Sequence, residues 1–360
     1  MATLTEASVT ARKVIKYGLI GFVGITILWY LGTALVNYYQ AMNPAPLPEP
    51  TVDFGKLPKI NFPKSTYRPK MILELPTGDV PTFIDRMTVY SQPVDKSSFS
   101  NAEEGVETAA TLGFLFKPEQ ITESNYVWIN QDQLNSRLDM DIISGHFLLT
   151  RQWQNNPSLA EMASFSSDKA VIMDTENYLS RVELLSSDIV GVEKLSYLKE
   201  DGGKMSTALS LSDADFVQLD LFRKNIDEID PESKDKEVVS SYPFYRSNPS
   251  MGLVRIVVSG SKNLSEKVIS LENRYNKINY SENGLYPIKT GMEAWTELEG
   301  GGGYVYQGES KALEVKIRRL FLGYYDADES TGYAMPIYIF LGDQGFTAYV
   351  SAVKDEWIAQ

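Results

Sequence analysis

The strongest feature in the pattern of apolar and polar positions is a run of twenty residues without a charge, Tyr17 to Val36 (YGLIGFVGITILWYLGTALV). At about 1.5 Å per residue, a helix over this run is about 30 Å long, the thickness of a bilayer core. Trp29, Tyr30, Tyr38 and Tyr39 gather towards its far end, where amphipathic rings favour the membrane interface. Arg12, Lys13 and Lys16 precede it, and no charge follows until Glu49. The positive-inside rule then predicts a cytoplasmic tail over 1–16, a transmembrane helix in the lipid bilayer over 17–36, and the rest outside the cytoplasm. A cleaved signal peptide would have an apolar region of about 7–15 residues followed by a small-x-small site. Asn37-Tyr38-Tyr39-Gln40 offers no such site, so the helix is expected to be retained as a single-pass anchor in the cell membrane. Gly18, Gly21 and Gly24 lack the GxxxG spacing and read as ordinary membrane-helix glycines.

The pattern then changes to proline. Seven of the seventeen prolines fall at 44, 46, 48, 50, 58, 63 and 69. Proline fixes φ and lacks an N–H, so residues 37–69 are expected to be an extended linker, with a reach on the order of 90 Å at ~3.1 Å per residue. Phe54 and Leu57, inside Asp53–Pro58 (DFGKLP), are the positions expected to dock onto the folded domain.

From residue 70 onwards, helix and strand periods alternate. Ser100-Asn101-Ala102-Glu103 reads as a capping box, with Val106, Ala109, Ala110 and Phe114 on one helical face and Gly113 as terminator. Tyr126–Asn130 and Arg137–Ile142 read as strands. The second sets Leu138, Met140 and Ile142 against Asp139 and Asp141. Ser144-Gly145 turns the chain into a strand over His146–Arg151. A second helix is expected from Ser167-Asp168, with Val171, Tyr178, Leu179 and Val182 on its apolar face. Strands are expected at Asp215–Phe222, Val238–Tyr245 and Leu253–Ser259, with Asp227–Glu237 as a solvated acidic loop. Thr290-Gly291-Met292-Glu293 is another capping box, for a helix with Met292, Trp295 and Leu298 inward that ends at Gly300–Gly303. Long strands follow at Glu314–Tyr325, Tyr333–Leu341 and Phe346–Val353. The first shifts phase across Arg318-Arg319, which predicts a β-bulge, and the intervening turns make the three antiparallel. The fold class is α+β: two or three related units of antiparallel sheet with helices packed on one face. The expected division is 70–200 and 201–360.

Composition narrows the chemistry. The chain has no cysteine and one histidine, His146. That excludes disulfides, thiolate metal sites, cysteine nucleophiles and multi-histidine metal centres. Net charge is −13, and residues 1–36 carry +2 (Arg12, Lys13 and Lys16 against Glu6), so the remainder is at −15. Such a surface repels phosphate backbones, and no nucleic-acid partner is expected. Gly300–Gly303 lacks the GK[ST] of a phosphate loop and follows a helix. Asp326–Gly332 resembles a calcium loop, but its glycine is one place late and Ile337 stands where a bidentate Glu is needed. It therefore reads as a turn. Asp213, Asp215 and Asp220 read as solvated strand-end charges, and His146 as a surface or edge histidine. No catalytic residue, metal or cofactor is expected. Tyrosine, at 21, is abundant. Tyr324, Tyr325, Tyr333, Tyr338 and Tyr349 fall in the C-terminal sheet and are candidates for a partner-binding face; otherwise they are strand formers filling a β surface.

Four stretches in two regions carry a family resemblance. Leu138–Leu149 (LDMDIISGHFLL), following a helix and strands, resembles the closing hairpin of a PepSY-type module. Gly291–Tyr306, Arg318–Asp326 and Tyr333–Val353 are similar to extracytoplasmic regulatory membrane proteins of the YycH/YycI type. Those proteins share one N-terminal membrane helix with tandem α+β units outside. The proline linker ending in DFGKLP also resembles envelope proteins of candidate-phyla bacteria. The resemblance implies an extracytoplasmic binding or regulatory role and brings no catalytic residues. Taken with the anchor, it makes the first expectation a non-enzymatic module that binds a protein partner and regulates or scaffolds an envelope process. A structural subunit of a secretion or pilus assembly is the alternative, and a carboxylate-based cell-wall hydrolase ranks last.

Overall fold

A computed structural model describes residues 4–42, 49–94, 96–98, 100–131, 134–161, 165–229, 237–308 and 312–359. It divides into two compact units, 1–49 and 50–360. The first is one α-helix, Leu4–Met42. Within it, the 25 residues Ile15–Tyr39 are long and apolar enough to cross a membrane. Its large side chains are exposed, Phe22 by 71% and Leu28 by 70%. The hydroxyls of Thr26 and Thr33 donate back to Phe22 O and Tyr30 O, so neither leaves an unpaired donor on the apolar surface.

The second unit starts earlier than the proline pattern suggests. Thr51 N and Val52 N both donate to Leu285 O, Leu57 N donates to Trp357 O, and Ala359 N donates to Leu57 O. Leu57 and Ile60 are buried. The Phe54 ring lies 4.9 Å from that of Tyr333, and the Phe62 ring 4.9 Å from that of Tyr325. The docking of Phe54 and Leu57 is observed; of the expected linker, residues 43–48 lie outside the described residues. From Thr51 onwards the chain turns at 52–55, where Gly55 N donates to Val52 O, and packs as a layer on the domain. Apolar side chains at 52, 54, 57, 60 and 62 cover one face of the C-terminal sheet, and proline suits a segment that needs few ladder N–H groups.

The larger sheet has nine strands among the described residues. In spatial order they are Glu119–Gln120, Asn125–Asn130, Ser136–Asp141, Phe147–Thr150, Val268–Asn273, Val254–Ser259, Phe216–Arg223, Ile189–Asp201 and Lys204–Thr207. Every neighbouring pair is antiparallel. The expected division at 200/201 falls inside this sheet, because Ile189–Asp201 pairs with Phe216–Arg223. Helices Asn101–Thr111 and Asp168–Arg181 cover one face through Ala109, Leu112, Val171 and Leu179.

The first helix differs in detail from its sequence pattern. Ser100 is already helical (φ −76°, ψ −25°) and caps nothing with its side chain. Asn101 Oδ1 instead accepts from Ser98 N and Oγ. The buried positions are Gly105 and Ala109, while Val106 is largely exposed. A Cβ on Gly105 would stand 2.8 Å from Ile142 Cγ2, so close approach to the sheet selects the smallest residues. Gly113 ends the helix with φ +95°, and Phe114 N donates to Ala109 O, the Schellman arrangement. The second helix begins as expected, with the Ser167 side chain accepting from Ala170 N.

Among the described residues the C-terminal sheet has six strands: Lys70–Leu73, Phe244–Tyr245, Glu314–Tyr325, Pro336–Gly342, Thr347–Ser351 and Tyr304–Tyr306. Its central hairpins are antiparallel, with the bulge between Ile317 and Arg319. Lys70–Leu73 and Phe244–Tyr245 join Glu314–Tyr325 in parallel. A three-stranded sheet (Asn279–Pro287, Arg86–Ser91, Tyr333–Ala334) lies alongside, and Ile226–Ile229 pairs with Val238–Tyr242 as a hairpin. Asp227 to Ile229, expected in a loop, are therefore strand; residues 230–236 lie outside the described residues. Helix Gly291–Glu299 forms the full Thr290/Glu293 capping box. It buries Gly291, Ala294, Trp295 and Leu298, but Met292 faces outward, 53% exposed.

Because Leu57 is fully buried against the sheet, Leu57→Ala lowers the urea midpoint of the full chain, corresponding to about 2–5 kcal/mol. A spacer residue would leave the midpoint unchanged.

Candidate functional site

The five candidate contact tyrosines do not form an exposed face. Tyr324, Tyr325, Tyr338 and Tyr349 are all buried, and Tyr333 is half-buried against Phe54. The C-terminal sheet is covered on both sides. Tyr324 and Tyr338 pack with Trp295 and Leu298 of the helix, while Tyr325 and Tyr349 pack with Leu57 and Ile60. Three of the phenols donate to main-chain carbonyls: Tyr324 to Thr88 (2.9 Å), Tyr338 to Lys289 (2.6 Å) and Tyr349 to Arg246 (3.0 Å). A buried tyrosine needs such a partner, so these side chains tie strands to connections rather than awaiting a ligand.

The polar chemistry lies where the two large sheets meet. Arg223, at the end of Phe216–Arg223, is fully buried. Its Nε donates to Asp326 Oδ2 (2.8 Å), its Nη2 to Asn276 O (2.7 Å) and its Nη1 to Asp188. The rings of Phe244 and Tyr275 flank the guanidinium at 5.3 and 4.9 Å. Burial works against the charge, but Asp326 and Asp188 outweigh it and hold Arg223 protonated. Burial likewise pushes the Asp188 carboxyl up. The Arg223 charge, with donors from Tyr275 (2.9 Å) and Tyr280 (3.0 Å), overrides this and keeps it below the ordinary carboxylate range.

Asn276 connects this network to the only histidine. Its Nδ2 donates to Ala327 O (2.9 Å), which orients the amide so that Oδ1 faces His146 Nε2 at 3.1 Å. An oxygen acceptor there requires the proton on Nε2 and leaves Nδ1 with a lone pair. Nδ1 has no hydrogen-bond partner among the described residues and is not sealed from solvent. His146 is 5% exposed, and the exposed part lines a cleft of about 460 Å³ together with Asp141, Arg274, Asn276, Asp328 and Glu329. It is thus not the surface or edge histidine expected. Burial lowers its pKa, Arg274 adds to the effect, and the ring is neutral at pH 7.

Local turns position this ring. Asp141 Oδ1 accepts from Ile143 N and Ser144 N, both at 2.9 Å, and Gly145 takes φ +69°. His146 O then accepts from Asp141 N (2.9 Å), so the tight turn read from Ser144-Gly145 delivers the histidine inward. The calcium-loop-like stretch sends its two aspartates to different arginines. Asp326 binds Arg223, and Asp328 binds Arg246 and Ser247. Among the described residues, no group of three or more His, Asp or Glu is placed to hold a metal. Asp220, expected at a solvated strand end, is buried and accepts from Arg255 Nε (2.7 Å) and Gly252 N (2.9 Å). Asp215 accepts from Glu200 N (2.8 Å), and Asp213 remains exposed near Lys199. No local sequence signal points to Arg223, Asn276 or Glu329.

Arg223→Met leaves Asp326 buried without its cation. The urea midpoint should fall by the equivalent of about 3–5 kcal/mol, with much of the loss recovered by adding Asp326→Leu. The histidine predicts a pH dependence. Its folded pKa lies below the ordinary value of about 6.5, so in the window below pH 6.5 the unfolded chain holds more protons, and stability falls as pH falls. Between pH 7 and 5 the wild type should lose more stability than His146→Gln, by up to about 1.4 kcal/mol per pH unit. Superimposable urea profiles would contradict the buried neutral ring.

No protein-family model matches the chain, and no curated protein matches it. Among solved structures, an uncharacterised protein from Eubacterium rectale is similar over 77% of this chain and 85% of its own. The identity is 10% and the TM-score 0.31, too low for anything to be carried over from it.

Proposed function

We propose that this chain is a single-pass membrane protein with its N-terminus in the cytoplasm. Its α+β domain lies outside, where it binds a protein partner and thereby regulates or scaffolds an envelope process. The observation that carries the membrane part is Ile15–Tyr39, 25 residues of helix with its large apolar side chains exposed and its threonine hydroxyls bonded internally. Leaving that surface in water would be costly, at about 25 cal/mol per Å² of apolar area, and a bilayer removes the cost. The three basic residues before it and the absence of charge from 17 to 48 favour this orientation.

Support for a partner comes from one edge of the nine-stranded sheet. Leu115 and Phe116 run into the edge strand Glu119–Gln120, Ile121 leaves it, and Ile129 lies on the strand paired with it. Leu115 is 81% exposed and Phe116 66%. Exposed apolar side chains gathered beside a short polar edge strand are characteristic of an interaction surface.

The test is in vivo cross-linking and co-purification with three forms: full length, a form lacking residues 1–42, and Leu115→Asp/Phe116→Asp in the full chain. The expected result is one membrane or envelope protein captured by the anchored wild type and lost from both altered forms. Capture of no protein by the wild type, or only of wall fragments, would sink the reading.

A further inference from the structure

We infer that the cleft beside His146 is a binding site for a guanidinium or primary ammonium group, with Nδ1 of His146 and the carboxylate of Glu329 as its acceptors. This does not depend on the sheet edge or on the partner that edge is proposed to bind.

The first line of argument is hydrogen bonding. Nδ1 is an acceptor because Asn276 occupies Nε2–H. It belongs to a side chain that is 5% exposed and lines the cleft, it is not sealed from solvent, and nothing among the described residues donates to it. An acceptor at a largely buried side chain is completed by a donor from water or from a ligand that displaces it. The group that completes this site is therefore a donor.

The second line is charge. Asp141, Asp328 and Glu329 line the cleft against one cation, Arg274, which leaves two net negative charges with the imidazole neutral. Counting the partners changes nothing. Asp328 is matched by Arg246, and Arg274 by Glu272 at 2.9 Å, so Asp141 and Glu329 remain. Asp141 is occupied by its own turn. Glu329 is exposed at the rim and has no partner among the described residues. An anionic ligand would meet the wrong sign and find Nδ1 without a proton to offer. A cationic donor matches both the acceptor at Nδ1 and the charge of Glu329, which line the same cleft. The volume, about 460 Å³, lies within the range of about 300–1,000 Å³ usual for small-ligand sites and admits a lysine or arginine side chain or a free polyamine.

Because His146 is the only imidazole in the chain, its ring nitrogens give an assignable signal. The experiment is imidazole ¹⁵N NMR on the full-length protein in lipid nanodiscs at pH 7. The titrants are N-acetyl-arginine amide, a Lys-Ala-Lys peptide, spermidine and, as the anionic control, glutarate. The expected result is a saturable shift of His146 Nδ1 with the cationic probes, none with glutarate, and at least a fivefold weaker fit in Glu329→Gln. Tighter fits for the arginine and lysine probes than for spermidine identify a peptide side chain as the source, and the reverse order identifies a free amine. No saturable shift with any cationic probe, a shift with glutarate instead, or unchanged binding in Glu329→Gln would overturn the assignment. The Glu329 change lies on an exposed side chain, so it does not hinge on the folding of a core variant.

Discussion

A buried guanidinium must have its charge answered, and the answer at Arg223 joins the two large sheets. Arg223 ends a strand of the nine-stranded sheet, and Asp326 directly follows the longest strand of the other. Asp188, Asn276 O, Phe244 and Tyr275 complete the enclosure. Such a pair adds little net stability, because desolvating two ions offsets most of their attraction. Its effect is on placement: any packing of the sheets that parted Arg223 from Asp326 would leave a charge buried alone. The same placement sets Asn276 against Ala327 and His146, so the cleft is a consequence of how the pair is enclosed.

The aromatic residues act through a second, softer constraint. A sheet covered on both faces must be apolar on both, yet the connections around it carry carbonyls that need donors. Tyrosine meets both needs, with its ring in the core and its hydroxyl on a carbonyl. Tyr286 accepts from Phe54 N and donates to Gly55 O, so it ties the incoming chain to the sheet. Tyr304 donates to Ser247 O and Tyr349 to Arg246 O, holding the segment that carries the Arg246–Asp328 pair. The cleft wall at Asp328 thus rests on the aromatic core.

Much of the layout was legible because it is local. Glu314–Tyr325, its bulge, the Thr290 capping box, the Ser167 cap and the Gly113 stop all follow from short-range pattern and backbone chemistry. Misreadings arose where packing chose between locally equivalent options. Val106 and Met292 are apolar and adjacent to the buried face, but Gly105 and Gly291 take the inward positions, because a Cβ there would meet Ile142 or Val80 at 2.8 Å. Proline spacing between 50 and 69 does not distinguish a spacer from a layer packed on a sheet, because that depends on partners such as Leu285 and Trp357 far along the chain.

Twenty uncharged residues with basic residues before them determine an apolar helix by length and composition, and strand and helix periods determine the α+β class. Both are properties of neighbouring residues. Which way Tyr338 and Tyr349 face, whether Asp220 is solvated, and where His146 sits depend on partners far along the chain. His146 and Asn276 are 130 residues apart, and Arg223 and Asp326 are 103 apart. Only strand pairing and sheet packing bring such groups within hydrogen-bond distance. The cleft is therefore a product of the tertiary structure, assembled from residues that carry no local signal of their meeting.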